Sequence, residues 1–264
     1  MQYTQHVKFN IVCRVLPRRG GILLRLLTWL MLTSFPLVAA GQPGTSKSET
    51  PHERAVTSVF GNSKVSSVVK FTVPIKRIEK GQRRAFIEHC SAFAVGKTTD
   101  HLLFLSSWHC IDGLQGRLDS PEISYAGRTE VSEIRESGGS MSEDWLLIRA
   151  SSNAFNEPIT LTQLSPAPVT LGETLYGFGW GGHRKSQITA PKVLPCPVVE
   201  VGPKLTLDCA FAKGDSGGLI ARKKGGAYEA VGIISAGDST SITFAFPVAN
   251  LPHQVLRQIH DQKD

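Results

Sequence analysis

The sequence predicts an all-β fold, and three observations carry that prediction. Short apolar or β-branched runs recur along most of the chain with turn residues between them. No helical pattern of about 10–15 residues alternates with those runs, as it would in a parallel α/β sheet. A Ser-, Asn- and Pro-rich stretch, residues 151–168, divides the runs into two lobes of similar size, about 65–155 and 165–250.

Residues 1–40 read as an export leader. They hold Lys8, Arg14, Arg18, Arg19 and Arg25 and no acid, so of the net charge of +7 only +2 belongs to the rest of the chain. That small remainder does not indicate a basic surface for nucleic acid. After Arg25 comes a 13-residue run, Leu26–Val38. As a helix it would reach about 20 Å, short of a hydrocarbon core of ~30 Å. Small residues at Val38 and Ala40 suit cleavage after Ala40. A leader retained as a membrane anchor is the alternative, since counting back across Arg25 to Ile22 gives 17 residues. Residues 41–64 are polar and rich in Gly, Ser and Thr, the composition of a flexible linker or pro-segment.

From Val65 the strand-like runs begin. Ala92-Phe93-Ala94-Val95 and Leu102-Leu103-Phe104-Leu105 flank a Gly-Lys-Thr-Thr-Asp turn. Trp145-Leu146-Leu147-Ile148, Thr174-Leu175-Tyr176, Leu205-Thr206-Leu207, Val231-Gly232-Ile233-Ile234 and Ile242–Phe246 follow. One helix is expected, over 251–261. Asn250 is its candidate cap, Pro252 suits its first turn, and Leu251, Val255, Leu256 and Ile259 share one apolar face.

Cysteine usage agrees with export. Cys13 lies in the leader, leaving Cys90, Cys110, Cys196 and Cys209. Four cysteines allow three disulfide connectivities, and neighbours in sequence favour Cys90–Cys110 and Cys196–Cys209. A zinc site is the competing reading, with neither a Cys-x-x-Cys pair nor a close His pair to support it.

The chemistry centres on Lys213-Gly214-Asp215-Ser216-Gly217-Gly218. Glycines on both sides let a tight turn expose the serine hydroxyl. The N–H groups of Gly214 and Ser216 are candidates to hold a developing oxyanion. A serine needs a base and a group that orients it. His109, in Ser107-Trp108-His109-Cys110, is the candidate base, and Asp144, ahead of the Trp145–Ile148 run, the candidate orienting carboxylate. Taken singly, each is as readily a turn serine, a core histidine or a turn aspartate. The glycine stretch also fits the G-x-S-x-G elbow of α/β-hydrolases, but there the serine comes first in the triad and leads into a helix. Here Leu219-Ile220-Ala221 runs into Gly225-Gly226, and no helix fits.

Taken together, these signals resemble the chymotrypsin-like (trypsin-fold) serine proteases, with the compact spacing of bacterial trypsin-like peptidases. The order is His109, Asp144, Ser216, at intervals of 35 and 72 positions. Ser-Trp-His-Cys, Gly-Asp-Ser-Gly-Gly, Phe178-Gly179-Trp180-Gly181 and Gly232–Gly237 all match family motifs, over roughly residues 65–260. The resemblance implies two packed antiparallel six-stranded β-barrels with a C-terminal helix. It implies a serine endopeptidase of protein or peptide substrates, secreted or periplasmic and monomeric, with no cofactor, metal or nucleic acid. Cys90 stands where the family has the partner of Cys110. An inactive, protease-like binding protein is the alternative function.

By the same resemblance Ser235, Ala236 and Gly237 line the substrate, Ala210 forms the base of the primary pocket, and Phe244 fills it. With no Asp at 210, a small or medium apolar side chain is the expected preference. The family's Arg-Ile-Val-Gly-Gly activation site is absent. Lys64-Val65 stands near the right distance from Cys90 but lacks the glycines, so activation by cleavage is open and Asp215 has room for another partner.

Overall fold

The computed structural model describes residues 67–114, 120–181 and 190–261. The leader, the linker and Lys64-Val65 lie outside them. Strands β1 (Val68–Glu79), β2 (Gln82–Lys97), β3 (His101–Ser106), β4 (Glu122–Tyr125), β5 (Arg128–Ser137) and β6 (Leu146–Ser151) close a barrel in the order β1-β2-β3-β6-β5-β4. β7 (Gln163–Leu164) leads into the second lobe, where β8 (Thr174–Gly179), β9 (Lys192–Val201), β10 (Leu205–Asp208), β11 (Leu219–Lys224), β12 (Ala227–Gly237) and β13 (Ile242–Pro247) follow. These six run β11-β8-β9-β10-β13-β12, and pairing of β11 with β12 seals the ring. The expected fold of two closed six-stranded antiparallel barrels is the observed one. Its one addition is β7, which joins β12 in parallel through Glu229↔Gln163 and Ala230↔Leu164.

The continuous apolar runs have a physical reason. Successive side chains of a strand point to opposite faces, and here both faces are covered. Along β3, Leu102 and Phe104 fill the first barrel while Leu103 and Leu105 face outward into a second cluster. Along β6, Leu146 and Ile148 point into the barrel and Leu147 to that outer cluster. The outer cluster also takes Phe93, Phe178, Leu219 and Ile233, so it is the seam between the barrels. The interior of the second barrel holds Leu175, Leu207, Ile220 and Ile234.

Helix α1 (His253–His260) caps the seam with Val255 and Ile259, and Leu256 packs against it. It is shorter than the sequence predicts, and Asn250 is not its cap. Val248–Asn250 forms a separate 3-10 turn, and Pro252 takes the cap position without a side-chain hydrogen bond. Proline lacks the N–H that the first turn would leave unpaired, so it tolerates that place. Among the described residues no helix is long and apolar enough to cross a membrane. Both expected disulfides are present: Cys90–Cys110 ties β2 to the turn after β3, and Cys196–Cys209 ties β9 to the end of β10. Paired cysteines are not thiolate ligands, which removes the zinc reading.

Candidate active site

His109 sits in the 3-10 turn Trp108–Ile111, directly after β3, and its neighbour Cys110 is bonded to β2. The preceding Ser107 hydroxyl donates to the Ile234 carbonyl of the second barrel at 2.6 Å. The imidazole therefore hangs from a backbone fixed at both ends. Asp144, just ahead of β6, is fully buried. Its Oδ1 accepts the His109 backbone N–H at 3.0 Å, and its Oδ2 lies 2.9 Å from His109 Nδ1. The Ser235 hydroxyl donates to Oδ2 as well. Burial pushes the Asp144 carboxyl up, but the hydrogen bond and charge of His109, with the Ser235 hydroxyl and the His109 N–H, outweigh it and leave the pKa below the ordinary value. An ionised carboxylate accepts only, so it holds the histidine tautomer that is protonated on Nδ1.

Ser216 lies between two residues with left-handed backbone, Gly214 at φ +97° and Gly217 at φ +80°. A side chain at 217 would in addition strike the Ser106 hydroxyl and the Ser91 carbonyl. Among the described residues the N–H groups of Gly214 and Ser216 donate to no protein acceptor, whereas those of Asp215, Gly217 and Gly218 do. Ser216 and His109 line the same cleft, of about 450 Å³. No hydrogen bond joins them in this structure.

The other expected site residues divide. Ser235, Ala236 and Gly237 line the cleft, although the Ser235 side chain is engaged by Asp144. Ala210 and Phe244 are not among its lining residues. Phe244 alternates with the buried Thr243 and Ala245 along β13, which turns it to the outer face of the barrel, where it is 38% exposed. Phe211, one residue beyond Ala210, lines the cleft instead.

Ser91 escapes a sequence reading. It is fully buried and bonded on all sides. Its N–H donates to Ser216 O at 2.7 Å and its hydroxyl to Gly214 O at 2.9 Å. The hydroxyl also accepts the Trp180 N–H at 2.8 Å, and the Ser91 carbonyl accepts the Ser106 hydroxyl. The one available signal is a serine beside Cys90 in an otherwise apolar strand. The Phe178-Gly179-Trp180-Gly181 motif also gains a reason: side chains at 179 or 181 would collide with the Asp215 carboxylate. Among the described residues no cluster of His, Cys, Asp and Glu is arranged to hold a metal.

Two interleaved features, the closed barrel pair and a cleft carrying histidine, buried aspartate and serine, define a protein of the two-barrel serine protease class. The chain belongs to the trypsin family, whose model matches residues 59–253. That membership supports a peptidase function. Among solved structures it is similar to the active form of the Rv3671c protease from M. tuberculosis, at 14% identity and TM-score 0.54 over 90% of this chain and 95% of that one. It is also similar to the inactive form of a serine-to-alanine mutant of the same protease, at 14% identity and TM-score 0.52 over 79% and 95%. At that identity the likeness concerns the fold alone. No curated protein matches the sequence.

Proposed function

We propose that this protein is an exported serine endopeptidase that hydrolyses peptide bonds through an acyl-enzyme intermediate. The observation that carries the reading is the Asp144–His109 pair, held at 2.9 Å on the wall of the cleft that Ser216 also lines. Ser216 Oγ attacks the scissile carbonyl while His109 Nε2 takes its proton, and the imidazolium then protonates the leaving amine. Asp144 holds the ring and stabilises its cation. The Gly214 and Ser216 N–H groups receive the oxyanion, each donor contributing about 3 kcal/mol to barrier lowering. Water, activated by His109 in the reverse sense, releases the acid product.

The domain plan follows the same reading: a cleaved leader over 1–40, a linker or pro-segment over 41–64, and the protease domain over 65–264. Two disulfides in a trypsin-family chain support an extracellular or periplasmic location. The test is labelling with a fluorophosphonate probe. Wild type takes up one probe at Ser216 and Ser216→Ala takes up none. A folded wild-type chain that resists the probe is instead the silent binding protein. N-terminal sequencing of exported material tests the cut after Ala40.

A further inference from the structure

Asp215 precedes Ser216, and its carboxylate has no solvent exposure at all. A buried carboxylate is tolerated only when it is paired and hydrogen-bonded. Oδ1 accepts the Gly181 N–H, Oδ2 accepts the Ala212 N–H at 2.9 Å, and the Lys192 ammonium lies 3.1 Å from Oδ2. Among the described residues Lys192 is the one cation within ion-pair distance of Asp215.

Lys192 opens β9, and its ammonium holds more than the carboxylate. It donates to the Ala210 carbonyl at 2.9 Å and stands 4.6 Å over the Phe211 ring. Asp215 N–H in turn bonds Ala212 O at 3.0 Å. One side chain therefore grips residues 210, 211 and 215, which bracket the turn presenting the Gly214 N–H. Without the cation, the Asp215 carboxylate is driven toward water, and the turn that carries Gly214 follows it.

We propose that Lys192 is a built-in latch for the 210–216 segment. It supplies from within the chain the positive charge that Asp215 requires, so the protein is competent without a cleavage that frees an amino terminus near residue 65. Lys192 acts through Asp215 and Gly214 as a positioning residue. The inference rests on the reading of Ser216 as nucleophile.

The experiment has two arms on the full chain. In the first, wild type is labelled with a fluorophosphonate and the labelled molecules are peptide-mapped. The expected result is label on molecules whose Lys64-Val65 bond is intact, and label confined to molecules that begin near residue 65 overturns the latch. In the second, Lys192→Met and Lys192→Arg are compared for kcat, KM and thermal midpoint. Lys192→Met is expected to lose about 100-fold in kcat, as when an oxyanion donor is lost, with KM little changed. Lys192→Arg, which keeps the charge, recovers most of the loss. A folded Lys192→Met that turns over like wild type overturns the latch. Should that variant not fold, the mapping arm decides alone. A wild type that takes no probe overturns the peptidase reading and the latch together, whereas a labelled wild type with an indifferent Lys192→Met overturns the latch only.

Discussion

The backbone N–H of Ser91, in the first barrel, donates to the carbonyl of Ser216, in the second, at 2.7 Å. With the Ser91 hydroxyl bonded to Gly214 O and Trp180 N–H, this one residue staples the candidate nucleophile turn across the seam. Ser91→Ala keeps the backbone bond and leaves a buried carbonyl and a buried N–H without their partner. Each such orphan costs about 1–3 kcal/mol. The variant should therefore lose stability of that order in urea unfolding and lose kcat more than KM. An unchanged unfolding midpoint contradicts the staple.

The cleft predicts its own selectivity. Among the described residues its second-barrel wall, from Phe211, Ala212 and Lys213 through Ile234 to Gly237, carries no carboxylate. Glu88 and Asp112 come from the first barrel, and Glu88 faces Lys213 at 3.4 Å. An apolar residue of small or medium size is expected before the scissile bond, and each misfit methylene should change kcat/KM by about 10- to 200-fold. A peptide library read by mass spectrometry measures this. Strong cleavage after Arg or Lys contradicts it.

What the sequence reveals and what it withholds follow from distance along the chain. His109 beside Cys110, Asp144 before an apolar run and Ser216 between glycines each carry a local flank that marks them. The partnership of Ser91 with Gly214 spans 123 residues and leaves no local mark. Lys192 is likewise only an exposed-looking lysine at the start of a strand until Asp215 is folded against it. Counting back from Ser216 reaches Ala210, but which of two adjacent residues borders the cleft depends on how the turn is closed, and it is Phe211, whose ring packs into the second-barrel core. Phe244 lies outside the cleft lining for a related reason: the strand period is visible, while it takes the closed barrel to decide that Thr243 and Ala245 are buried and Phe244 is left on the other face.

Lys204 extends the line of groups behind His109. Its ammonium lies 3.1 Å from Ser235 Oγ, and that hydroxyl is bonded to Asp144 Oδ2. An ammonium only donates, so Ser235 Oγ must accept from Lys204 and give its own proton to Asp144. Donation therefore runs from Lys204 through Ser235 to Asp144, which accepts from His109 on its other side. Lys204→Met frees the hydroxyl to rotate and should lower kcat about two- to ten-fold, the worth of one hydrogen bond. Lys204→Arg should restore most of it. Equal activity in Lys204→Met and wild type contradicts the role.

Asp144 also sets an acid limit. Its folded-state pKa lies below the usual 3.8, despite full burial, because the His109 and Ser235 bonds require the ionised form. A carboxyl lowered on folding stabilises the native state above its unfolded pKa, and the contribution disappears as pH falls through the lower, folded value. Wild type should accordingly lose stability between about pH 4 and the lower folded-state value partly through this group. Asp144→Asn has no carboxyl to protonate there. Thermal midpoints of the two proteins should lie well apart at pH 7 and converge as the pH is taken below 4. Curves that stay parallel across that range would mean that the buried carboxylate is not bound to His109 in its charged form.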